Sequence, residues 1–379
     1  MRFLALTIAL LTLPLAAVAA PTAFPIEISA GKPPQAVMAD GRARLLYELR
    51  LTNFAPRGVT VDQLSVRDDQ GQVLATYDAK ALEAMLQPIG HETAQPGLLD
   101  AGRSLVVFVD LALAADAKVP AALSHQVVFA YTRKNGQTER QEVPGPQVAV
   151  TPGLARVVAA PLSGPRWLAA NALASLDHRR SQMQSDGHTF TAQRFAIDWI
   201  QIGPDGMLAR NGGKHNADFY AYGAPVMAVA DGTVTAIRDG QPENDGANTD
   251  RTVPVTLETI AGDYVIMDLG AGTWALYAHL QPGTLTVKPG DKVKAGQVLG
   301  KLGNSGNSDA PHLHFQLMDG PSPLGAEGVP HALAAFVDHG QASDPAILEG
   351  TGAWKPAGAA VPRKAEFPLD NAVVDLPGR

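Results

Sequence analysis

Polar and apolar side chains alternate over most of residues 42–51, where Leu45, Tyr47, Leu49 and Leu51 share one parity. A period of two puts successive side chains on opposite faces of an extended chain, so this run predicts a strand with one face in a core. Residues 59–66, 105–111 and 126–132 carry a similar signal. Asn135-Gly136, between Tyr131 and Val143, predicts a hairpin, because both residues tolerate the positive φ that a tight turn needs. With turn residues recurring at short intervals, residues 21–150 are expected to form a β-sandwich of immunoglobulin-like type. It shows no catalytic constellation, since His91 and His125 stand far apart. Its expected role is positioning, or binding a protein partner.

Breakers crowd Pro144-Gly145-Pro146 and Pro161-Leu162-Ser163-Gly164-Pro165, so a linker is expected at residues 151–165. Short strands return in a second domain, residues 166–345. Residues 264–269 and 274–280 flank Gly270-Ala271-Gly272 as a hairpin, and residues 287–297 alternate around two glycine turns, as barrel-sandwich folds do. Gly223-Ala224-Pro225-Val226 and Gly290-Asp291-Lys292-Val293 echo each other, each leading into a small-residue strand. The chain is therefore expected to be mainly β. Residues 203–216 and 239–250 are polar and glycine-bearing, and read as surface loops beside a groove. Residues 346–379 are rich in Pro, Ala and Gly with little periodicity, which predicts an extended or disordered tail.

A chain of 379 residues is long enough for two cores. Residues 1–20 read as a secretory signal peptide: Arg2, an apolar run, then Ala17-Val18-Ala19-Ala20 for cleavage. An exported protein is expected, periplasmic or extracellular, with no membrane span once the signal is removed. The absence of cysteine excludes a disulfide framework and a lipid-modified cysteine. A formal charge of −7 with no basic run argues against nucleic-acid binding.

The chemistry concentrates in Gly303-Asn304-Ser305-Gly306-Asn307-Ser308-Asp309-Ala310-Pro311-His312-Leu313-His314-Phe315. A turn-rich stretch ends in a short strand whose two histidines, two residues apart, project from one face. Two imidazoles converging from one strand suit a zinc ligand beside a general base or electrostatic partner. This segment resembles the last motif of the M23 (lysostaphin/LytM-type) zinc metallopeptidases, which cut peptide cross-links of bacterial cell walls. Three upstream stretches resemble the family's other blocks, in the same order. They are Phe195-Ala196-Ile197-Asp198-Trp199, then Tyr222-Gly223-Ala224-Pro225-Val226 through Val234, then Tyr277-Ala278-His279-Leu280 with the glycine turns after it.

The resemblance implies a duplicated-hybrid-motif (barrel-sandwich) fold for the second domain and Zn2+ as cofactor. By position it makes Asp198 and His314 metal ligands, and His279 and His312 the histidines that assist catalysis. The family's first ligand, a histidine four residues before the aspartate, is replaced here by Arg194. A guanidinium stays cationic and has no lone pair for zinc. Either another histidine supplies the third ligand or the site is degenerate. His178, in Asp177-His178-Arg179-Arg180, is the foremost candidate, because the M23 fold is expected to carry that segment over the groove; His188 and His215 follow. Alternatively Arg179, Arg180 and Arg194 pair with Asp198, or bind a substrate carboxylate, leaving an ion-pair cluster. Two functions follow. One is an exported zinc endopeptidase hydrolysing peptidoglycan cross-link peptides, or similar peptides, through a metal-activated water. The other is a degenerate module that binds cell wall or activates a partner hydrolase.

Overall fold

The computed structural model describes residues 23–90, 95, 97–356 and 358–378; the signal-peptide segment and His91 lie outside them. The chain is mainly β. Its N-terminal part holds two six-stranded sheets. In one, the strand Arg42–Asn53 runs between Gln35–Ala39 and Ser104–Ala112; in the other, Val59–Arg67 runs between Ala122–Thr132 and Val73–Asp78. Leu45, Tyr47, Leu49 and Leu51 meet Val61, Leu64, Val127 and Phe129 from the facing sheet, which makes the pair a sandwich. Asn135-Gly136 closes the hairpin between Ala122–Thr132 and Thr138–Pro144, with Gly136 at φ 84°.

Arg42–Asn53 is buried on both faces, although alternation predicts only one. Its even-numbered positions Leu46, Glu48 and Arg50 face the C-terminal part of the chain. Leu46 joins Val37 and Ala39 in a core otherwise built from residues beyond 154, and Glu48 is only 6% exposed. The two halves of the molecule therefore share a packed boundary.

The C-terminal part is organised by a twelve-stranded sheet. Gly164–Ala170, Ile197–Gln201, Leu313–Met318, Trp274–Leu280 and Asp263–Asp268 lie side by side at its centre. One face carries Trp199, Tyr277, Leu313 and Phe315, all fully buried in the main core. A short pair, Pro225–Met227 with Val298–Lys301, packs beneath it.

The connecting and C-terminal segments carry strands of their own. The linker at 151–165 carries short strands: Thr151–Leu154 pairs in parallel with Gln35–Ala39, and Arg156–Val158 with His331–Gln341. Of the extended or disordered tail expected from residue 346, the disordered arm is corrected, because Val361–Glu366 and Ala372–Leu376 are packed strands. Ala372–Leu376 lies inside the large sheet, between His331–Gln341 and Gly164–Ala170. Its driving force is the short apolar run Ala372-Val373-Val374, every member of which is buried. Leu376→Ala should accordingly cost about 2–4 kcal/mol, as large-to-small changes in a core do. A residue in a solvated tail would cost under about 0.5 kcal/mol, so urea unfolding separates the two cases.

Candidate active site

Asp198 lies directly opposite His314 where Ile197–Gln201 pairs with Leu313–Met318, and opposite Ala170 on its other side. Directly opposed residues on neighbouring strands send their side chains to the same face. Ile197 and Trp199, like Leu313 and Phe315, turn into the core, so Asp198 and His314 share the other face. His178 comes from a separate element, the helix Leu176–Arg180. Left-handed turns at Asn171 (φ 51°) and Ala174 (φ 66°) lead into that helix. Asparagine is one of the few residues that adopt this conformation readily.

His178, Asp198 and His314 each offer a ligand atom, all within 4.8 Å of one another. His178 Nε2 is 3.1 Å from Asp198 Oδ2, and His314 Nδ1 is 2.8 Å from Asp198 Oδ1. The opposite ring nitrogens fix the tautomers. His178 Nδ1 lies 2.7 Å from the Asn171 carbonyl, which can only accept, so Nδ1 carries the proton. His314 Nε2 lies 2.8 Å from Gln316 Oε1, and the Gln316 amide nitrogen donates to the Pro323 carbonyl, so Nε2 is the donor there. Both histidines thus turn a lone pair towards a carboxylate. That arrangement is repulsive unless protons or a cation sit between. Two imidazole lone pairs and a carboxylate form a donor set suited to zinc, and orientation of each ring through its distal N–H is usual around a metal. Without a cation, protons take that place. Burial opposes charge on His178, but Asp198 outweighs it and raises the pKa. Burial likewise opposes the Asp198 charge, yet the His178 and His312 charges and the imidazole hydrogen bonds hold it well below the usual carboxylate range.

Two more histidines adjoin this group. His312 Nε2 is 3.6 Å from Asp198 Oδ1, and its Nδ1 donates to the Ala310 carbonyl at 2.8 Å. The His279 and His312 rings are 4.7 Å apart, centroid to centroid. His279 Nδ1 donates to the Ser305 carbonyl at 2.8 Å, leaving Nε2 free to accept. Burial, then repulsion from His312 and His314, pushes His279 well below the ordinary histidine pKa. Burial lowers His312 as well.

Alternation along 274–280 places His279 with Ala275 and Tyr277, but the structure does not. Ala275 and Tyr277 are in the main core, whereas His279 lines the groove with Leu276 and Ala278. The register shifts between Asp263 and Val265, and His279 has φ 61°, so an irregularity at the strand end turns the imidazole over. Its anchor depends on a close approach of two backbones. A Cβ on Gly262 (φ 62°) would lie 2.4–2.5 Å from the Ser305 carbonyl carbon, carbonyl oxygen and Oγ. Gly262→Ala should therefore move that carbonyl and loosen His279. The expected result is a fall in kcat of about 100-fold, the usual cost of ångström-scale misplacement. Metal content should be unaffected. Parallel kinetics and elemental analysis check this.

The remaining candidates lie elsewhere. His188 is exposed on the hairpin Met183–Ser185 with His188–Phe190. His215 is exposed and meets Asp245 at 2.9 Å. The alternative in which Arg179, Arg180 and Arg194 pair with Asp198 does not occur: Arg179 and Arg194 both bind Glu48, Arg194 also binds Glu327 at 2.7 Å, and Arg180 reaches the Ala84 carbonyl. The loops 203–216 and 239–250 lock together rather than lying free. Asn216 donates to the Asn244 carbonyl, and Asn244 donates to the Gly306 and Ser308 carbonyls, bracing the turn ahead of His312. Sequence reasoning missed Asn171, whose amide also donates to Asp198 Oδ2 at 2.9 Å. It also missed Gln316 and Glu48. The only hint at Gln316 was its place two residues after His314, on the same strand face.

A groove of about 300 Å³ opens over His279 and His314. Leu276, Ala278 and Leu324 supply apolar wall, and Gln182, Gln193 and Asn307 supply amides. Such a lining suits a neutral peptide backbone with small side chains.

Residues 214–326 match the family model described as peptidase family M23. This span includes His279, His312 and His314 and omits His178 and Asp198. The glycyl-glycine endopeptidase ALE-1 of Staphylococcus capitis is 38% identical over 113 residues, 29% of this chain and 26% of that protein. The peptidoglycan DD-endopeptidase ShyA of Vibrio cholerae is 32% identical over 114 residues, 30% of this chain and 22% of that protein. The matched part thus spans about a quarter of the length of these curated relatives. A crystal structure of a putative M23 peptidase from Pseudomonas aeruginosa aligns over 78% of this chain and 93% of that one, at 17% identity and a TM-score of 0.27.

Proposed function

We propose that this chain, which carries a peptidase M23 domain, is an exported zinc-dependent endopeptidase that hydrolyses peptide cross-links of peptidoglycan. The observation that carries the reading is the pair of imidazole lone pairs, His178 Nε2 and His314 Nδ1, converging on the Asp198 carboxylate. These three residues would hold the ion. The chemistry a bound zinc supplies is Lewis acidity, which polarises the scissile carbonyl and makes water more acidic. His279, held neutral with Nε2 free, takes a proton from the attacking water and returns one to the departing amine. His312 stands beside it with Nδ1 held by the Ala310 carbonyl and Nε2 likewise free to accept, and it helps to orient and deprotonate the same water. Export rests on the signal-like residues 1–20. Among the described residues, no helix is long and apolar enough to cross a membrane.

Purified protein should contain about one zinc per chain and release free amino groups from isolated sacculi. A chelator should abolish turnover, and added zinc should restore it. Protein that binds sacculi equally well with chelator, carries no stoichiometric metal and releases nothing would be a wall-binding module, and the peptidase reading would fall. Equal turnover after His312→Ala would also count against it.

The pH profile carries a sign. A base must be neutral to act, and His279 and His312 titrate below the ordinary 6.5. The acid limb of kcat/KM should accordingly lie below pH 6.5, with activity lost as pH falls through the depressed value. A nearby cation would depress it further. A limb at or above 6.5 would count against these histidines as the base.

A further inference from the structure

The segment that carries His178 has little of its own to hold it. The helix Leu176–Arg180 has five residues and no side-chain cap at Ser175, far too short to persist alone. What fixes it is the next residue. Arg179 is 1% exposed and reaches into the N-terminal sandwich. Its Nη2 donates to the Tyr47 carbonyl at 2.9 Å, the Val109 carbonyl at 3.1 Å and Glu48 Oε1 at 2.9 Å. Its guanidinium carbon lies 5.2 Å from the centre of the Phe108 ring. The other oxygen of Glu48 accepts from Arg194 Nη2 at 2.6 Å and Nε at 3.0 Å. Arg194 stands four residues ahead of Asp198. One carboxylate from the sandwich thus grips two segments, 131 and 146 residues further along the chain, that lead to two of the three proposed metal donors.

We propose that Glu48 is a positioning residue for the metal site, acting through Arg179 on His178 and through Arg194 on the approach to Asp198. The N-terminal sandwich is then part of the scaffold of the site. The inference rests on reading His178, Asp198 and His314 as the metal donors. Asn171 sets the angle of the His178 ring, but the ring can lie 3.1 Å from Asp198 only if its backbone is held in place. Without the anchor, a preformed donor becomes one that must be ordered as the ion binds, and affinity falls. The same geometry gives Arg194 a purpose. Where a histidine would donate to the metal, the arginine recruits the sandwich that holds a substitute donor.

The test is zinc affinity of the full chain, measured by competition with a chromophoric chelator. Arg179→Ala should weaken zinc binding about 10–100-fold, the range seen when an orienting partner of a ligand is lost. Arg179→Lys, which keeps a cation against Glu48, should recover most of that loss. Single changes in this cluster risk unfolding, so the combined variant Glu48→Leu, Arg179→Met, Arg194→Met, Glu327→Gln removes the buried charges of the clamp together and nearly keeps its volume. It should fold and still bind zinc at least about 10-fold more weakly. Phe129→Leu, in the far sheet of the sandwich, should lower thermal stability without changing zinc affinity. Unchanged affinity in the folded combined variant, or an equal loss in Phe129→Leu, would overturn the proposal. If the unaltered chain takes up no zinc, the peptidase reading fails by itself. Positioning is then decided by hydrogen exchange of the metal-free protein. Arg179→Ala should speed exchange across residues 175–181 and leave 313–318 unchanged, and no difference across 175–181 would sink it.

Discussion

Asp198→Asn should leave the chain without stoichiometric zinc and cut turnover of sacculi at least about a thousandfold, equivalent to about 4 kcal/mol of transition-state stabilisation. Asparagine keeps the shape of the carboxylate and removes its charge, so the loss reports on electrostatics rather than packing. Asp198 contacts His178, His312, His314 and Asn171 at once. No other carboxylate belongs to the group of possible donors among the described residues. The metal-free fold should survive. With the charge gone, His178 and His314 can both rest as neutral rings, still donating to the Asn171 carbonyl and to Gln316. Metal-free stability should change by no more than about 1–2 kcal/mol, the scale of a hydrogen bond or two. His178→Ala should reproduce the loss of metal, whereas His188→Ala and His215→Ala, both at exposed positions, should change neither metal nor turnover. Elemental analysis after dialysis, with melting curves recorded in chelator, separates these effects. Retention of zinc and of more than about a tenth of the activity in Asp198→Asn would remove the carboxylate from the site.

Much of this arrangement was legible in short-range pattern. A strand period puts His312 and His314 on one side of Leu313 and Phe315, and the structure has that disposition because those two apolar residues are fully buried. What stayed hidden depends on distance along the chain or on irregular backbone. Glu48 reads as one more polar position in an alternating strand. Its burial is dictated by arginines more than a hundred residues later, which no local pattern encodes. Asn171 matters because its left-handed backbone lets the carbonyl meet His178 while the amide meets Asp198. A strand period alone puts His279 on the core face, because it assumes regular φ, whereas the φ of His279 is positive. In the tail, the apolar run at 372–374 is outweighed by proline and glycine around it, and a composition argument averages it away.

Glu48→Gln should destabilise the folded chain by about 3–5 kcal/mol, the cost of removing one partner from a buried ion pair. Arg179 and Arg194 are 1% and 4% exposed, so water cannot replace the lost charge. Arg194 retains Glu327, but Arg179 would be left with neutral acceptors alone: the Tyr47 and Val109 carbonyls, at most one amide oxygen of the new glutamine, and the Phe108 ring. A loss of that size is a large part of the 5–15 kcal/mol that usually separates a folded domain from its unfolded chain. The effect also carries a pH signature. Burial favours the neutral carboxyl, but Arg194 and Arg179 outweigh it and hold Glu48 below its ordinary pKa. The unfolded chain titrates near about 4.3, so the stabilisation is fully present above that pH. It is lost as pH falls through the lower native value, where the folded state must also take up the proton. Glu48→Gln has no such carboxyl, so the difference between the variant and the unaltered protein should be greatest near neutrality and shrink in acid below about pH 4. Urea titrations at neutral and acid pH measure this directly. A penalty under about 1 kcal/mol at pH 7 would mean that the guanidinium groups find other partners, and that the two halves of the molecule are not held together through this carboxylate.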